Sequence, residues 1–202
     1  MNTCYIVGAA PFDEPVRVDG TDLVIAADGG QAALAARGIR AGLVVGDFDS
    51  SEPPTDLPFV RHPVEKDDTD MALAVREGMK RGYSVFVFYG CQGGLPDHSL
   101  AAVQTLHHLA REGMYGYMVG GGMVGTVVVN RTLAFAPHGR VSVLSLTDES
   151  HGVTVRGLKY TLSDAILTND YPLGVSNEGT GQEAEITVKN GALYVLWESK
   201  EV

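Results

Sequence analysis

Four clusters of acidic residues and glycines stand out in the chain, each directly after a short apolar run or at the start of a helical pattern. Ala27-Asp28-Gly29-Gly30 follows Leu23–Ala26. Glycines at a strand-to-helix passage let backbone N–H groups approach a phosphate, and the positive end of the helix dipole favours the anion. An ordinary tight turn with Asp28 as an N-cap is the plainer account of the same residues. Gly46-Asp47-Phe48-Asp49-Ser50 follows Leu43–Val45. Side chains alternate along a strand, so Asp47 and Asp49 are expected to face one way at its carboxyl end, where open α/β sheets bind ligands. Two close carboxylates need a cation between them, and Mg²⁺ takes one or two carboxylates together with substrate phosphates. Glu65-Lys66-Asp67-Asp68-Thr69-Asp70 crowds charge at one helix start. Asp67 or Asp68 caps that helix, Lys66 offsets the repulsion or meets a phosphate as a point charge, and Asp70 is expected to point back towards the metal. Gly90-Cys91-Gln92-Gly93-Gly94-Leu95-Pro96-Asp97-His98 is a fourth glycine-rich passage. His98 there stands either on a phosphate or on its own loop. The spacings match neither the P-loop nor G-x-G-x-x-G. This chemistry is that of a Mg²⁺-dependent enzyme acting on a nucleotide or polyphosphate.

The elements that position these clusters change character along the chain. Tyr5–Val7, Leu23–Ala26, Leu43–Val45 and Val85–Phe88 read as strands buried on both faces. Helical patterns over 31–37, 69–81 and 99–111 are closed by Gly38, Gly82 and Gly113. The second carries Met71, Ala72, Val75 and Met79 on its apolar face, the third Leu100, Val103, Leu106 and Ala110. Such alternation predicts a mostly parallel sheet flanked by helices. After about residue 130 the helical period disappears. Runs at 140–147, 152–156, 184–189 and 192–197 read as strands, and Asn190-Gly191 between the last two is the strongest short hairpin signal in the chain. The expected fold class is therefore α/β, an N-terminal mostly parallel sheet flanked by helices, followed by a small antiparallel β-sandwich. The boundary falls after Ala136, giving domains 1–136 and 137–202. The second is thin enough to lean on the first or on another subunit.

The composition narrows the partners. The 202 residues carry a formal charge of −10, with 25 acids against 15 bases. A nucleic-acid binder needs a basic stripe to meet phosphates, and an anionic membrane surface likewise selects cations. No apolar run approaches the roughly 20 residues of a membrane span, and the start lacks a basic n-region, so a cytoplasmic protein is expected. Cys4 and Cys91 make no disulfide framework. The charge is concentrated: Gly46–Asp70 holds eight acids and two bases. His62, His138 and His151 are scattered, with no metal-ligand spacing.

The ordered set A-A-D-G-G, G-D-F-D-S, K-D-D-T-D and G-x-x-G-G-x-x-D-H resembles the thiamine pyrophosphokinase family, also called thiamine diphosphokinase. The resemblance continues through Gly157–Tyr160 and Gly174–Glu178. It implies an α/β nucleotide-binding domain, a β-sandwich domain that helps bind thiamine, and a homodimer with active sites between subunits. The implied reaction moves the pyrophosphoryl group of ATP to the thiamine hydroxyl, releasing AMP. On this resemblance Asp47, Asp49 and Asp70 bind Mg²⁺, while Asp28, Gly29, Gly30, Thr69, Gly93, Gly94 and His98 cradle ATP. Asp70, Asp68 or Asp97 takes the hydroxyl proton, with Lys66 beside them. Ser176 and Asn177 match the family's S-N pair and are candidates to bind thiamine, or form an ordinary turn. Trp197, the sole tryptophan, is either a sandwich core residue or an aromatic platform for thiamine's cationic ring. Two positions depart from the family pattern: Leu95 stands where Arg is usual, and Ala102 where a short Asn is common. Lys66, Arg61 and Arg131 are the cations available to compensate. Two other readings compete. Asp47-Phe48-Asp49-Ser50 also resembles the D-x-D-x-[ST] of aspartate-nucleophile phosphatases, and Leu95 and Ala102 fit a binding protein of the same fold that has lost catalysis.

Overall fold

Apolar runs too short for helices form the parallel strands that carry the clusters. They are seen in a computed structural model of the chain, which describes residues 2–48, 53–63 and 68–199. Two compact units result: Met1–Thr105 with Met114–Gly121, and Leu106–Gly113 with Gly122–Val202. In the first, strands β1 (Thr3–Val7), β2 (Leu23–Ala27), β3 (Leu43–Gly46), β4 (Phe59–Arg61), β5 (Val85–Tyr89) and β6 (Tyr115–Gly120) run in the order β6-β5-β1-β2-β3-β4. Every neighbouring pair is parallel. Ile6, Ile25, Val45, Phe86 and Phe88 are fully buried, as a sheet covered on both faces requires.

From β1 the chain steps through β2, β3 and β4 in one direction, then returns to β5 on the other side of β1. The connections after β1 and β5 therefore diverge, which opens a crevice at their carboxyl ends. Helices α1 (Gly30–Ala35), α2 (Asp70–Lys80) and α3 (Pro96–Arg111) each follow one of the clusters. The third starts earlier than its apolar period predicts, because Pro96 is pre-shaped for the first helical position, where no N–H is needed. Leu100, expected on its apolar face, is 66% exposed; Ala102, Leu106, Leu109 and Ala110 are the buried residues. At α2 the N-cap is Thr69, whose Oγ1 accepts from Ala72 N at 3.2 Å, and not Asp67 or Asp68. Asp68 is engaged elsewhere, and Asp67 lies outside the described residues.

The second unit contains β7 (Met123–Val129), β8 (Thr132–Phe135), β9 (Arg140–Ser145), β10 (Glu149–Arg156), β11 (Leu162–Thr168), β12 (Asn177–Glu178), β13 (Ala184–Thr187) and β14 (Ala192–Glu198). They form two antiparallel layers, β12-β9-β14-β7 and β11-β10-β13-β8. Phe135 and Trp197, one from each layer, meet with ring centroids 4.8 Å apart and planes tilted by 52°. Ser150, fully buried on β10, ties the layers through Ser145 Oγ at 2.8 Å and the Ala192 carbonyl at 3.1 Å. Strands β7 and β8 precede the expected boundary at 136/137 yet belong to this unit, since β7 pairs with β14 from Met123–Glu198 to Val129–Ala192.

The Asn190-Gly191 turn is not a hairpin. Its flanking strands do not pair with each other: β13 lies between β10 and β8, and β14 between β7 and β9. The turn carries the chain from one layer to the other. Gly191 N donates to Asn130 Oδ1 at 2.9 Å, and a Cβ on Gly191, at φ 128°, would sit 2.8 Å from Ser150 Cα. A two-residue turn signal specifies local backbone shape and not pairing, which rests on the cross-strand side-chain contacts that β14 makes with β7 and β9. Among the described residues no helix is long and apolar enough to cross a membrane.

Candidate active site

At the carboxyl ends of β1, β2 and β5 lies a cavity of about 520 Å³. Its floor is the Gly8-Ala9-Ala10 segment that leaves β1. Gly8 N donates to the Tyr89 carbonyl at 2.8 Å and Ala10 N to the Gly90 carbonyl at 3.0 Å, so two backbones run side by side past their strand ends. A Cβ on Gly8 would lie 2.6 Å from Gly90 O, which explains why no side chain stands there. Asp28 enters from the end of β2 with φ 49° and its N–H on Val45 O at 2.9 Å. It is not a helix cap: the N-cap position of α1 is Gly29. Gly30 is required for packing, since a Cβ there would fall 1.8 Å from the Val7 carbonyl.

Of the residues singled out from sequence, Asp28, Asp68, Thr69, Asp70, Gly94 and His98 line this one cavity. Leu95 and Ala102 line it as well, the first 62% exposed and the second buried. Gly29, Gly30, Gly93 and Asp97 flank the lining segments without contributing to the wall. Asp47 is half-buried just past β3, where Gly46 sits against Asp28. Asp49 and Lys66 lie outside the described residues. β3 ends at Gly46, so Asp47 already lies beyond the strand, and Phe48 turns left-handed at φ 57°. Among the described residues no group of three or more His, Cys, Asp or Glu side chains converges as a metal cage.

The three candidate proton acceptors differ sharply in their surroundings. Both oxygens of Asp68 are held by Arg76, at 2.6 and 3.0 Å. Asp97 Oδ1 accepts from His98 N at 3.0 Å at the exposed start of α3. Asp70 lies on the cavity wall in the first turn of α2. Burial pushes the Cys91 thiol up to about 12, so this wall residue stays a neutral thiol. Among the described residues no lysine or arginine lines the cavity. Arg61 points its guanidinium at the Phe48 ring, 5.7 Å from the centroid, and Arg131 donates to the Val127 carbonyl in the second unit.

A second cavity, of about 330 Å³, lies within the second unit. Val143, Tyr160, Leu173, Val175, Ser176 and Asn177 are among its walls. The Asn177 amide pins the neighbouring loop, accepting from Tyr160 N at 3.0 Å and donating to Tyr160 O at 2.7 Å. Ser176 takes a left-handed φ of 63° and donates its N–H to Ser142 Oγ at 3.2 Å. Trp197, by contrast, lines neither cavity; it is 8% exposed in the second unit against Phe135.

Residues 17–118 match the catalytic domain of thiamin pyrophosphokinase, and residues 126–193 match the thiamin pyrophosphokinase vitamin B1 binding domain. The chain belongs to the thiamin pyrophosphokinase family. A Bacillus subtilis protein named thiamine pyrophosphokinase is 23% identical over 218 residues, covering 97% of this chain and 98% of that one. The crystal structure of a Bacillus subtilis thiamine pyrophosphokinase superposes with a TM-score of 0.87 at 22% identity, covering 98% of this chain and all of that one. A Geobacillus thermodenitrificans thiamin pyrophosphokinase gives 0.86 at 24% identity, with 98% of both chains covered. The yeast enzyme gives 0.76 at 13% identity, covering 97% of this chain and 86% of that one. Family membership replaces the aspartate-nucleophile phosphatase reading, and the α/β fold with an antiparallel second sheet is the fold of these structures.

Gly8-Ala9-Ala10 lines the cavity as well: small residues directly after the buried Tyr5–Val7 run, as in the other clusters but without an acid. Met71 and Ala101, also on the wall, carry no chemical signature at all.

Proposed function

We propose that this family member transfers the pyrophosphoryl group of ATP to the hydroxyl of thiamine, giving thiamine diphosphate and AMP, with Mg²⁺ as its metal. The observation that carries this reading is the single cavity at the β1/β5 switch point, walled by Asp28, Asp68, Asp70, Gly94 and His98. The donor set fits a hard cation: carboxylate oxygens face the cavity, and its one thiol, Cys91, is neutral. Asp28, Asp47 and Asp70 are the described residues proposed to hold Mg²⁺, together with Asp49. When bound, the metal neutralises the charge of the phosphate chain. The backbone around Gly8, Gly90 and Gly94 brings ATP close to the sheet end, and Asp70 takes the proton as the thiamine oxygen attacks the β-phosphorus. The bond from that phosphorus to the AMP oxygen breaks, and AMP leaves. Thiamine is proposed to use the second unit's cavity, with Ser176 as a polar contact and apolar walls for its rings. A homodimer whose active sites draw on both subunits, in the ATP-rich cytoplasm, completes the reading.

The test is AMP and thiamine diphosphate production by purified protein with ATP, Mg²⁺ and thiamine, in equal amounts. A second reading, a binding protein without turnover, is favoured by the lack of lysine or arginine on the described wall and by Leu95 at its rim. It predicts ligand binding with no thiamine-dependent AMP under any of several metals and nucleotides.

A further inference from the structure

We infer that Arg37 and Phe12 form a clamp that positions the Gly8–Ala10 wall of the cavity and so sets the affinity for the donor nucleotide; the nucleotide half of this inference rests on the proposed function. Between Val7 and Phe12 the chain is Gly-Ala-Ala-Pro, with no side chain able to anchor it. Its internal ties are the two backbone hydrogen bonds from Gly8 and Ala10 to β5 and the turn after it. Ala9 rests against the position a Cβ on Gly29 would take, at 3.0 Å, and Ala10 against that of Gly94, at 3.3 Å. The wall thus sits between the β2–α1 turn and the β5–α3 loop, and its place depends on how its far end is fixed.

That end is Phe12, only 7% exposed although it lies in a loop. One of its neighbours is Tyr89 at the end of β5, ring centroids 5.3 Å apart. Another is Arg37, just beyond α1, whose guanidinium stands 3.9 Å from the Phe12 ring centroid. The same guanidinium donates through Nη2 to the Phe12 carbonyl and through Nη1 to the Ala33 carbonyl at 3.0 Å. Stacking and forked donation at once need a planar guanidinium, which lysine lacks. The Tyr89 hydroxyl adds a bond to the Pro15 carbonyl at 3.4 Å. Arg37 is not among the residues that line the cavity, so its action on a ligand runs through the wall; it is a positioning residue.

Arg37→Ala and Arg37→Lys separate the clamp from general stability. Hydrogen exchange at Gly8 and Ala10 is measured beside the Kd of a non-hydrolysable ATP analogue with Mg²⁺ and the KM for thiamine. The expected result for Arg37→Ala is faster exchange over 8–12, a nucleotide Kd weakened roughly tenfold (about 1.4 kcal/mol) and a thiamine KM within about twofold of wild type, since only the nucleotide wall moves. Arg37→Lys should fall between. Arg40→Ala, which removes another exposed arginine near the end of α1 that pairs with Asp56, should change none of these. Unchanged exchange overturns the clamp. Faster exchange with an unchanged nucleotide Kd, or an equal loss for thiamine, overturns the positioning role. Wild-type protein that binds no nucleotide overturns the proposed function and the nucleotide half of this inference with it, while exchange alone then decides the clamp.

Discussion

Asp70→Asn is the perturbation that most directly probes Asp70, proposed both to hold Mg²⁺ and to take the proton. Three carboxylates are candidates on sequence, and the proposed reading gives the proton to Asp70 on the cavity wall. Asp68 already gives both oxygens to Arg76, and Asp97 is turned to the backbone of α3. A general base is worth about 10²–10⁴ in rate, so losing it raises the barrier by about 3–5 kcal/mol. Asp70→Asn should therefore lower kcat by roughly 10²–10⁴-fold. Its structural cost is small: a carboxylate in the first turn of α2 gains about 0.3–1 kcal/mol from the helix dipole, a fall of roughly 1–4 °C in Tm for a chain of this size. Asp68→Asn removes a pair whose side chains are 30% and 55% exposed, worth under about 1 kcal/mol, and should lower kcat less than about tenfold, the loss of a merely positioning contact. Asp97→Asn should leave kcat within about threefold, since its partner is its own helix. Rates come from AMP release under saturating substrates, and folding from the fluorescence of the single tryptophan. Near-normal turnover in Asp70→Asn, or a larger loss in Asp68→Asn, refutes the assignment to Asp70.

Other variants test the structural side. Gly30→Ala places a Cβ 1.8 Å from a backbone carbonyl that cannot swing away; the cost should reach the upper end of overpacking, about 3 kcal/mol, seen as a Tm lower by roughly 6–12 °C. A wild-type Tm would show that Gly30 is not there for packing. Glu77 is buried on α2, and hydrogen bonds from Lys80 and then Arg81 hold its carboxyl below its ordinary value of 4.5. The unfolded chain then takes up this proton more readily, so the stabilisation is complete above about pH 4.5 and is lost as pH falls through the lower folded value. Glu77→Gln should cost about 1–2 kcal/mol at pH 7 in urea titrations, with the gap to wild type closing towards pH 3. Trp197→Phe should lower stability by about 1–2 kcal/mol through lost volume beside Phe135, with an unchanged KM for thiamine; a KM rise without a stability loss would favour the platform.

Local chemistry was legible where one residue type has one physical use. The buried runs at Tyr5–Val7, Leu23–Ala26, Leu43–Val45 and Val85–Phe88 became β1, β2, β3 and β5, and the glycines at 38, 82 and 113 follow the helix ends with φ of 68°, 84° and 76°. Convergence of Asp28, Asp68, Asp70 and His98 was legible too, because each cluster sits after a strand or at a helix start and parallel strands bring those points to one edge. What could not be read was which strands pair. Asn190-Gly191 has the residues of a hairpin turn, yet β14 finds its partners in β7 and β9, more than 40 residues earlier in the chain. Asp67 and Asp68 have the chemistry of a cap, and so does Thr69; the competition is settled by Arg76, eight residues on, which captures Asp68.

The charge of the cavity follows a similar logic. A wall that offers phosphates three carboxylates and, among the described residues, no lysine or arginine repels a bare polyphosphate. Arg76 is the cation nearest in the hydrogen-bond network, and it is spent on Asp68. On the proposed reading the acids serve to recognise the donor together with its metal, so free ATP should bind poorly and Mg-ATP well. Leu95→Arg, at an exposed rim position where a long side chain has room, should strengthen binding of metal-free ATP more than that of Mg-ATP. Titration calorimetry with and without chelator measures both. Equal gains for the two forms would mean that charge on this wall is not what selects the metal complex.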